Sequence, residues 1–357
     1  MNNLKVAFLS RLGNNLHTDL FVKHLQNREI KVNLEESNFH FIFLPKIFGQ
    51  EKPDIIHLHT LHYFFLGKNF IHRWIKFLIF TNQILILKSM GIKIVWTVHE
   101  WTDRFSGGKQ DILPKWSILL GKLFDAIITH CDTTKNQIIE AFHLEKNHKV
   151  FVVHLGNYIG TYKNEINKVN ARKILGISTE ATVWLLFGNI HRTKGFVKAI
   201  DAFKQLPGKD IFLIVAGYPA EPDIENIIRD KIKNYPNILF FPKRVPNDEI
   251  QLYMNASDCM ISPYQVFTTS GATLLAMSFG KACIAPNQGF FRDILDDAGS
   301  FLYDATTEDG LFSAIKQANE KREHLSTMGQ HNFQLAKQWS WDYVADETLK
   351  IYHRCLE

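Results

Sequence analysis

TTSGATLLAMSFGKACIAP, residues 268–286, decides how the chain is read. A small polar run leads through Gly271 into an apolar stretch of helical length, 271–280. A Gly-Lys turn closes it, and Ala282–Ala285 then reads as a short buried strand. The first amides of such a helix lack intrahelical partners, and its dipole favours negative charge at that end. Together they suit a phosphate or diphosphate, with Thr269 and Ser270 offering hydroxyls beside Gly271. An ordinary Ser or Thr N-cap would leave the same local pattern.

The same alternation extends outward in both directions. In the second half, 182–188, 211–217, 237–241 and 258–262 also read as strands, with helices expected near 195–206, 223–234, 247–256, 289–297 and 308–320. The first half repeats the scheme. Strands are expected at 4–9, 54–59, 92–98, 125–130 and 150–154, with helices at 14–27, 65–90, 114–124 and 132–143. Strands alternating with helices imply parallel sheets with helices on both faces. The expected fold is α/β, with two Rossmann-like doubly wound domains facing a cleft at the carboxyl ends of their strands. The polar stretch YIGTYKNEINKV, 158–169, separates the two strand sets. This places domains at 1–163 and 164–338. An apolar-faced terminal helix, 339–357, needs a surface to dock on.

Composition narrows the class. The 357 residues carry a net charge of +5. The first 150 hold 19 Lys and Arg against 13 Asp and Glu, and twelve of the sixteen histidines precede residue 155. A basic first half suits an anionic partner such as a membrane surface or a phosphate-bearing acceptor. The cysteines Cys131, Cys259, Cys283 and Cys355 are far apart without metal-ligand spacing, which fits a reducing cytoplasm. The start shows no signal peptide, and no apolar run reaches the ~18–20 residues of a membrane span. A cytoplasmic protein is expected, with a peripheral position on the inner face of the membrane as the alternative. Residues 63–86 mix aromatic and aliphatic residues with Lys68, Arg73 and Lys76, a pattern that suits a helix lying on anionic headgroups or a buried helix with one wet edge.

Two further clusters carry chemistry. GNIHRTKG, 188–195, follows a strand and opens a helix. Gly188 permits a tight turn, and Arg192 and Lys194 supply cations for a departing pyrophosphate. HLHTLH (His57, His59, His62) and TVHEWTD (His99, Glu100, Asp103) end two strands of the first half. His99 and Glu100 have acid–base capacity. The histidines lack a partner Cys or carboxylate at convincing zinc spacing, so no metal is expected. No G-x-G-x-x-G follows the first strand, where the sequence is SRLGNNL, which argues against a dinucleotide-dependent dehydrogenase.

The order of these segments resembles the GT-B glycosyltransferases, nearest to the family-4-like group (glycosyl transferases group 1), over nearly the whole chain. LLFGNIHRTKGFVKAIDAF resembles the family's phosphate turn, SGATLLAMSFGKACIAP its donor-binding helix and following strand, and WSWDYVADETLKIY its terminal helix, which crosses back to the first domain. The resemblance implies a hexosyltransferase that moves sugar from a UDP- or GDP-sugar to a glycan or lipid-linked acceptor in surface polysaccharide assembly. It implies retention of configuration and no cofactor, metal or nucleic acid. It assigns the diphosphate to Gly188, Arg192, Lys194, Thr269, Ser270 and Gly271, and the base to Lys243 and Arg244. It puts Gly13 and His59 at the cleft edge and His99 towards the donor sugar. Glu100 or Asp103 would be the base if the enzyme inverts. Phe267 and Leu275 stand where many members carry a Glu pair, and Asn189 replaces the usual Arg of the phosphate turn. A nucleotide-sugar 2-epimerase of the same fold and an inactive sugar-nucleotide-binding protein are the alternatives.

Overall fold

The computed structural model describes the chain except residues 1–3, 11–15, 37–41, 49–50, 60, 62–63, 65–69, 100–117, 145–148 and 209. It divides into two compact units, residues 1–156 with 339–357, and residues 157–338.

Unit 1 begins β1 (Lys5–Ser10), α1 (Leu16–Gln26), β2 (Lys31–Glu36), α2 (Leu44–Phe48), β3 (Ile55–Leu58) and α3 (Phe70–Ser89). It continues β4 (Lys93–Thr97), α4 (Ile118–Leu123), β5 (Ala126–Thr129), α5 (Asp132–Ala141) and β6 (Val150–Val152). All six strands pair in parallel, in the order β2-β1-β3-β4-β5-β6. Alternate residues serve opposite faces. Ala7, Leu9, Ile56, Leu58, Ile94 and Trp96 meet Phe77, Phe80, Ile84 and Leu87 of α3 on one side. Val6, Phe8, Ile55 and Val95 meet Phe21, Val22 and Leu25 of α1 on the other.

Unit 2 contains α6 (Lys168–Leu175), β7 (Thr182–Phe187), α7 (Phe196–Phe203), β8 (Ile211–Ala216), α8 (Ile224–Ile232), β9 (Ile238–Phe241) and α9 (Ile250–Ala256). It is completed by β10 (Cys259–Ile261), α10 (Gly271–Ser278), β11 (Ala282–Pro286), α11 (Gly289–Ile294), β12 (Ser300–Tyr303), α12 (Gly310–Glu320) and α13 (Leu325–Lys337). Its parallel sheet runs β12-β11-β10-β7-β8-β9. The strand β7 is buried along its whole length. Arg172 of α6 is 1 % exposed and donates to Asp258 at 2.7 Å and to the Ala256 carbonyl at 3.0 Å. Asp258 also accepts from the Val183 amide at 2.8 Å, so one carboxylate ties α6 to the start of β7.

The boundary differs from the one read in the sequence. Residues 157–159 are fastened to unit 2: Asn157 donates to the Ala336 carbonyl at 2.8 Å, and the Tyr158 amide donates to Ser278 at 3.0 Å. Part of the expected linker is helical, because Asn167 caps α6 by accepting from the Asn170 amide.

The final helix, α14 (Trp341–Leu356), belongs to unit 1. Ser340 caps it by accepting from the Tyr343 amide at 3.1 Å. Trp341, Val344, Ala345, Ile351 and Tyr352 join the core cluster of α1. His24 of α1 and Arg28 in the turn after it reach Asp342 at 3.0 and 3.1 Å, and Arg28 reaches Asp346 at 2.5 Å. Those carboxylates are exposed, so the ion pairs contribute about 0–1 kcal/mol each. Truncating a large buried aromatic costs about 3–5 kcal/mol. Trp341→Ala is therefore expected to destabilise unit 1 several-fold more, in kcal/mol, than Arg28→Ala. Denaturant midpoints of the two variants check this, and equal losses would place the docking energy in the charges.

Candidate functional site

In unit 2, three backbone segments meet at the carboxyl end of β7. The chain turns at Gly188, makes a short 3-10 turn over Arg192–Lys194, and enters α7 through Gly195 at φ 67°. A Cβ on Gly195 would lie 2.1 Å from the Pro263 carbonyl oxygen. One on Gly217, just beyond β8, would lie 1.8 Å from the Gly188 carbonyl oxygen. Only glycine tolerates these approaches. They lock the 188–195 turn against both the segment after β10 and the end of β8.

That packing sets the position of Lys194. Its ammonium lies 4.9 Å from the centre of the Tyr264 ring. A Cβ on Gly188 would sit 3.5 Å from the same nitrogen and 3.8 Å from the Ala272 methyl. Gly188 thus lies between a cation and the first turn of α10. Ser270 caps that helix: its hydroxyl accepts from the Thr273 amide at 3.2 Å and pairs with the Thr273 hydroxyl at 2.8 Å. The Ser262 hydroxyl holds Thr273 from below at 2.7 Å. The Ser270 hydroxyl is therefore used inside the fold, and the anion-binding capacity of the turn lies in the first amides of α10. Thr269 is half-buried beside them.

The other cations are differently engaged. Arg192 is half exposed and paired with Glu221 at 3.2 Å and Asp223 at 2.5 Å. Lys243 pairs with Glu249 at 2.8 Å, and Arg244 is exposed beside it, two strands from β7. Two residues of the cradle went unread in the sequence. Tyr264 lies under Lys194, and the Tyr158 hydroxyl stands 3.2 Å from where a Cβ of Gly271 would be. Burial pushes the Tyr158 phenol well above its ordinary range. No local motif announces either one.

In unit 1 the carboxyl ends of β3, β4 and β5 and the first turn of α1 gather histidines. His99 Nε2 lies 3.3 Å from His59 Nδ1. The His99 and His130 rings are 4.8 Å apart, and the His17 ring is 5.6 Å from His99 and 4.7 Å from Trp341. His57, inside β3, is bonded on both sides, to Tyr352 at 2.5 Å and Thr97 at 2.6 Å, a structural arrangement. Among the described residues no group of three His, Cys, Asp or Glu has metal-holding geometry. Gly13, Glu100 and Asp103 lie outside the described residues.

These imidazoles are kept neutral. Desolvation, with smaller repulsion from neighbouring histidines, lowers His17 and His57 to about 3. Desolvation also lowers His130 to about 4, and holds His59 and His99 well below the ordinary value.

Comparison with known proteins supplies the family. Residues 24–156 match the family described as Glycosyltransferase Family 4, and residues 167–334 match Glycosyl transferases group 1. The chain belongs to the GT-B, family-4-like glycosyltransferases. One relative is the lipopolysaccharide 1,2-N-acetylglucosaminetransferase of Salmonella typhimurium, 26 % identical over 59 % of this chain and 58 % of that protein. The chain spans about half the length of the curated relatives it matches. Among solved structures, a glycosyltransferase from Rickettsia africae superposes with a TM-score of 0.76 at 14 % identity over 100 % of both chains. Anabaena HepE in complex with UDP and glucose superposes with a TM-score of 0.72 at 15 % identity, over 97 % of this chain and 98 % of that one. In this glycosyltransferase the two positions of the usual Glu pair are apolar in fact as well as in name. Leu275 is buried in α10, and Phe267 packs on Phe291 with ring centres 4.6 Å apart.

A neutral histidine cluster makes unit 1 acid-sensitive. The folded pKa values lie below the unfolded value near 6.5, so the unfolded chain binds protons first. The stability is complete above about pH 6.5 and is lost as pH falls towards the folded values. Each such histidine costs about 1.4 kcal/mol per pH unit in that window. Urea titrations between pH 7 and 5.5, above the range of the carboxylates, are expected to show unit 1 weakening with uptake of several protons. A flat profile would mean that the imidazoles are solvated or already charged.

Proposed function

We propose that the chain transfers a hexose from a UDP- or GDP-sugar to a glycan or lipid-linked acceptor, with retention of configuration, in the assembly of a surface polysaccharide. The observation that carries this is the convergence of the Lys194 ammonium, the Gly188 turn and the N-terminus of α10 on one spot. Departure of a nucleoside diphosphate builds negative charge on phosphate oxygens, and a fixed cation with preorganised amides stabilises it without a metal. Lys194 is the principal cation. Arg192, already neutralised by Glu221 and Asp223, assists at the rim, with Thr269 and Gly271 at the helix start. Lys243 and Arg244 address the base. His99, neutral and backed by His59, serves as the acid–base group of unit 1, with Glu100 and Asp103 as the carboxylate candidates and Gly13 as the loop residue of that domain. The lipopolysaccharide enzyme among the relatives supports a saccharide acceptor, and UDP in the HepE structure supports the nucleotide.

The acceptor reading extends to α3. Phe77, Phe80, Ile84 and Leu87 bury one face, yet Ile71, Trp74, Ile75, Leu78, Leu85 and Ile86 remain exposed on the same helix. His72, Arg73 and Lys76 sit among them. An apolar stripe with cations is the pattern of a helix resting on anionic lipid. We assign it to the inner face of the membrane, where lipid-linked acceptors are presented. No helix among the described residues is long and apolar enough to cross a bilayer.

Two experiments test the proposal. Lys194→Ala is expected to lower kcat about 10²–10³-fold, the usual cost of losing one group that stabilises developing charge. Arg192→Ala should cost much less. Steady-state assays with UDP- and GDP-sugars decide, and unchanged turnover in Lys194→Ala would remove the cradle from the mechanism. For α3, Ile75→Asp with Leu78→Asp should abolish sedimentation with phosphatidylglycerol vesicles. Retained sedimentation would move the membrane contact elsewhere.

A further inference from the structure

A phenol reaches the start of α10 from the other end of the helix. The backbone of Tyr158 is fixed there: its amide donates to the Ser278 hydroxyl at 3.0 Å, and its carbonyl accepts from the Thr161 amide at 3.1 Å. The Ser278 hydroxyl itself points back along α10, donating to the Leu274 carbonyl at 2.7 Å. From this anchor the Tyr158 side chain runs to the first turn, with the Tyr162 ring 5.8 Å from its own. Its hydroxyl stands 3.2 Å from where a Gly271 Cβ would be, and among the described residues no atom of another segment lies within 4 Å of that point. The hydroxyl has no hydrogen-bond partner among the described residues. The amides of Gly271 and Ala272 beside it have none either, since Ser270 caps the next one, that of Thr273.

Two amides and a hydroxyl without partners therefore meet at one helix start, and an anion satisfies all three. Desolvation, with the neighbouring Tyr162 phenol, raises Tyr158 well above its ordinary range, so the group keeps its proton and can only donate to an anion. We infer that the Tyr158 hydroxyl donates a hydrogen bond to the diphosphate held at the start of α10, a bond that strengthens as the donor sugar leaves. As the sugar–phosphate C–O bond breaks, its electron pair stays on the phosphate oxygen. The acceptor oxygen bonds to the same carbon and releases its proton to a general base. Tyr158 gives up no proton in this step; it stabilises the anion that forms. This rests on the proposed nucleoside-diphosphate site and adds a residue to it that no local motif marks.

Isothermal titration of the full chain with UDP and GDP tests it. Whichever diphosphate binds the wild type should bind Tyr158→Phe about ten-fold or more weakly, the factor for one hydrogen bond to a charged group. In turnover with the matching nucleotide-sugar, kcat should fall by a larger factor than KM rises, because the bond strengthens with the developing charge. A tyrosine that only packs would lower the melting temperature without this split. Gly271→Ala reads the contact itself. Its methyl group meets the hydroxyl, so it should weaken diphosphate binding several-fold in the wild type and cost little more in Tyr158→Phe. Additive losses, or unchanged affinity in Tyr158→Phe while Lys194→Ala binds weakly, overturn the inference and leave the cradle in place. If Tyr158→Phe does not fold, Gly271→Ala decides alone, and unchanged affinity there overturns the inference. Failure of both UDP and GDP to bind the wild type overturns the inference and the proposed site together.

Discussion

Two backbone contacts, the Gly188 carbonyl against Gly217 and the Pro263 carbonyl against Gly195, govern unit 2. Neither position has room for a side chain. Because the 188–195 turn is pinned on both flanks, Lys194 has little choice of where its stem begins. Its ammonium is then held over the Tyr264 face, where an aromatic quadrupole offsets part of the desolvation of the charge. Preorganisation of this kind is what electrostatic catalysis needs, since a group already aimed at developing charge pays no reorganisation during the reaction. The N-cap follows the same logic: Ser262, Ser270 and Thr273 form a closed hydroxyl chain, which leaves the first backbone amides of α10 free of that chain.

Unit 1 achieves rigidity by a different and more expensive route. Its histidines are buried where charge would be strongly disfavoured, so they stand as neutral imidazoles able to donate and accept. Tyr352 of α14 holds His57, and Trp341 covers His17. The last helix thereby closes the desolvated cluster as well as the hydrophobic core. Losing it would wet the imidazoles and change their protonation, which couples the integrity of a distant chain terminus to the charge state of the histidines at the ends of β3 and β4.

The repeating strand and helix pattern was legible because central parallel strands are buried on both faces and read as continuous apolar runs. Two of the four edge strands, β2 and β12, were not legible. The β2 sequence KVNLEE is half polar and β12 is four residues long, and both sit at sheet margins. The helix α6 escaped because its caps lie in a stretch whose polarity looked like a linker. The helix α13 contains Gly329 and few apolar residues at regular spacing, so its periodicity is weak. Lys194, Gly188 and Gly271, which the fold brings together, were singled out through turn chemistry, which is local. The partners of Arg192 were not, because Glu221 and Asp223 lie after the next strand and only the fold brings them near. Tyr158 and Tyr264 were missed for the same reason.

The contrast between Lys194 and Arg192 shows why counting cations in a motif misleads. Both occupy the phosphate turn, and both are equally charged in sequence. Arg192 is exposed, solvated and matched by two carboxylates, so a ligand phosphate must compete with acids already in place and gains little in high dielectric. Lys194 is half-buried against an aromatic ring and a glycine, where the dielectric is lower and an arriving anion meets a less screened charge. The field at the anion site is thus set by one lysine and one helix start. Positions 267 and 275 are Phe and Leu, so neither adds a carboxylate to oppose it.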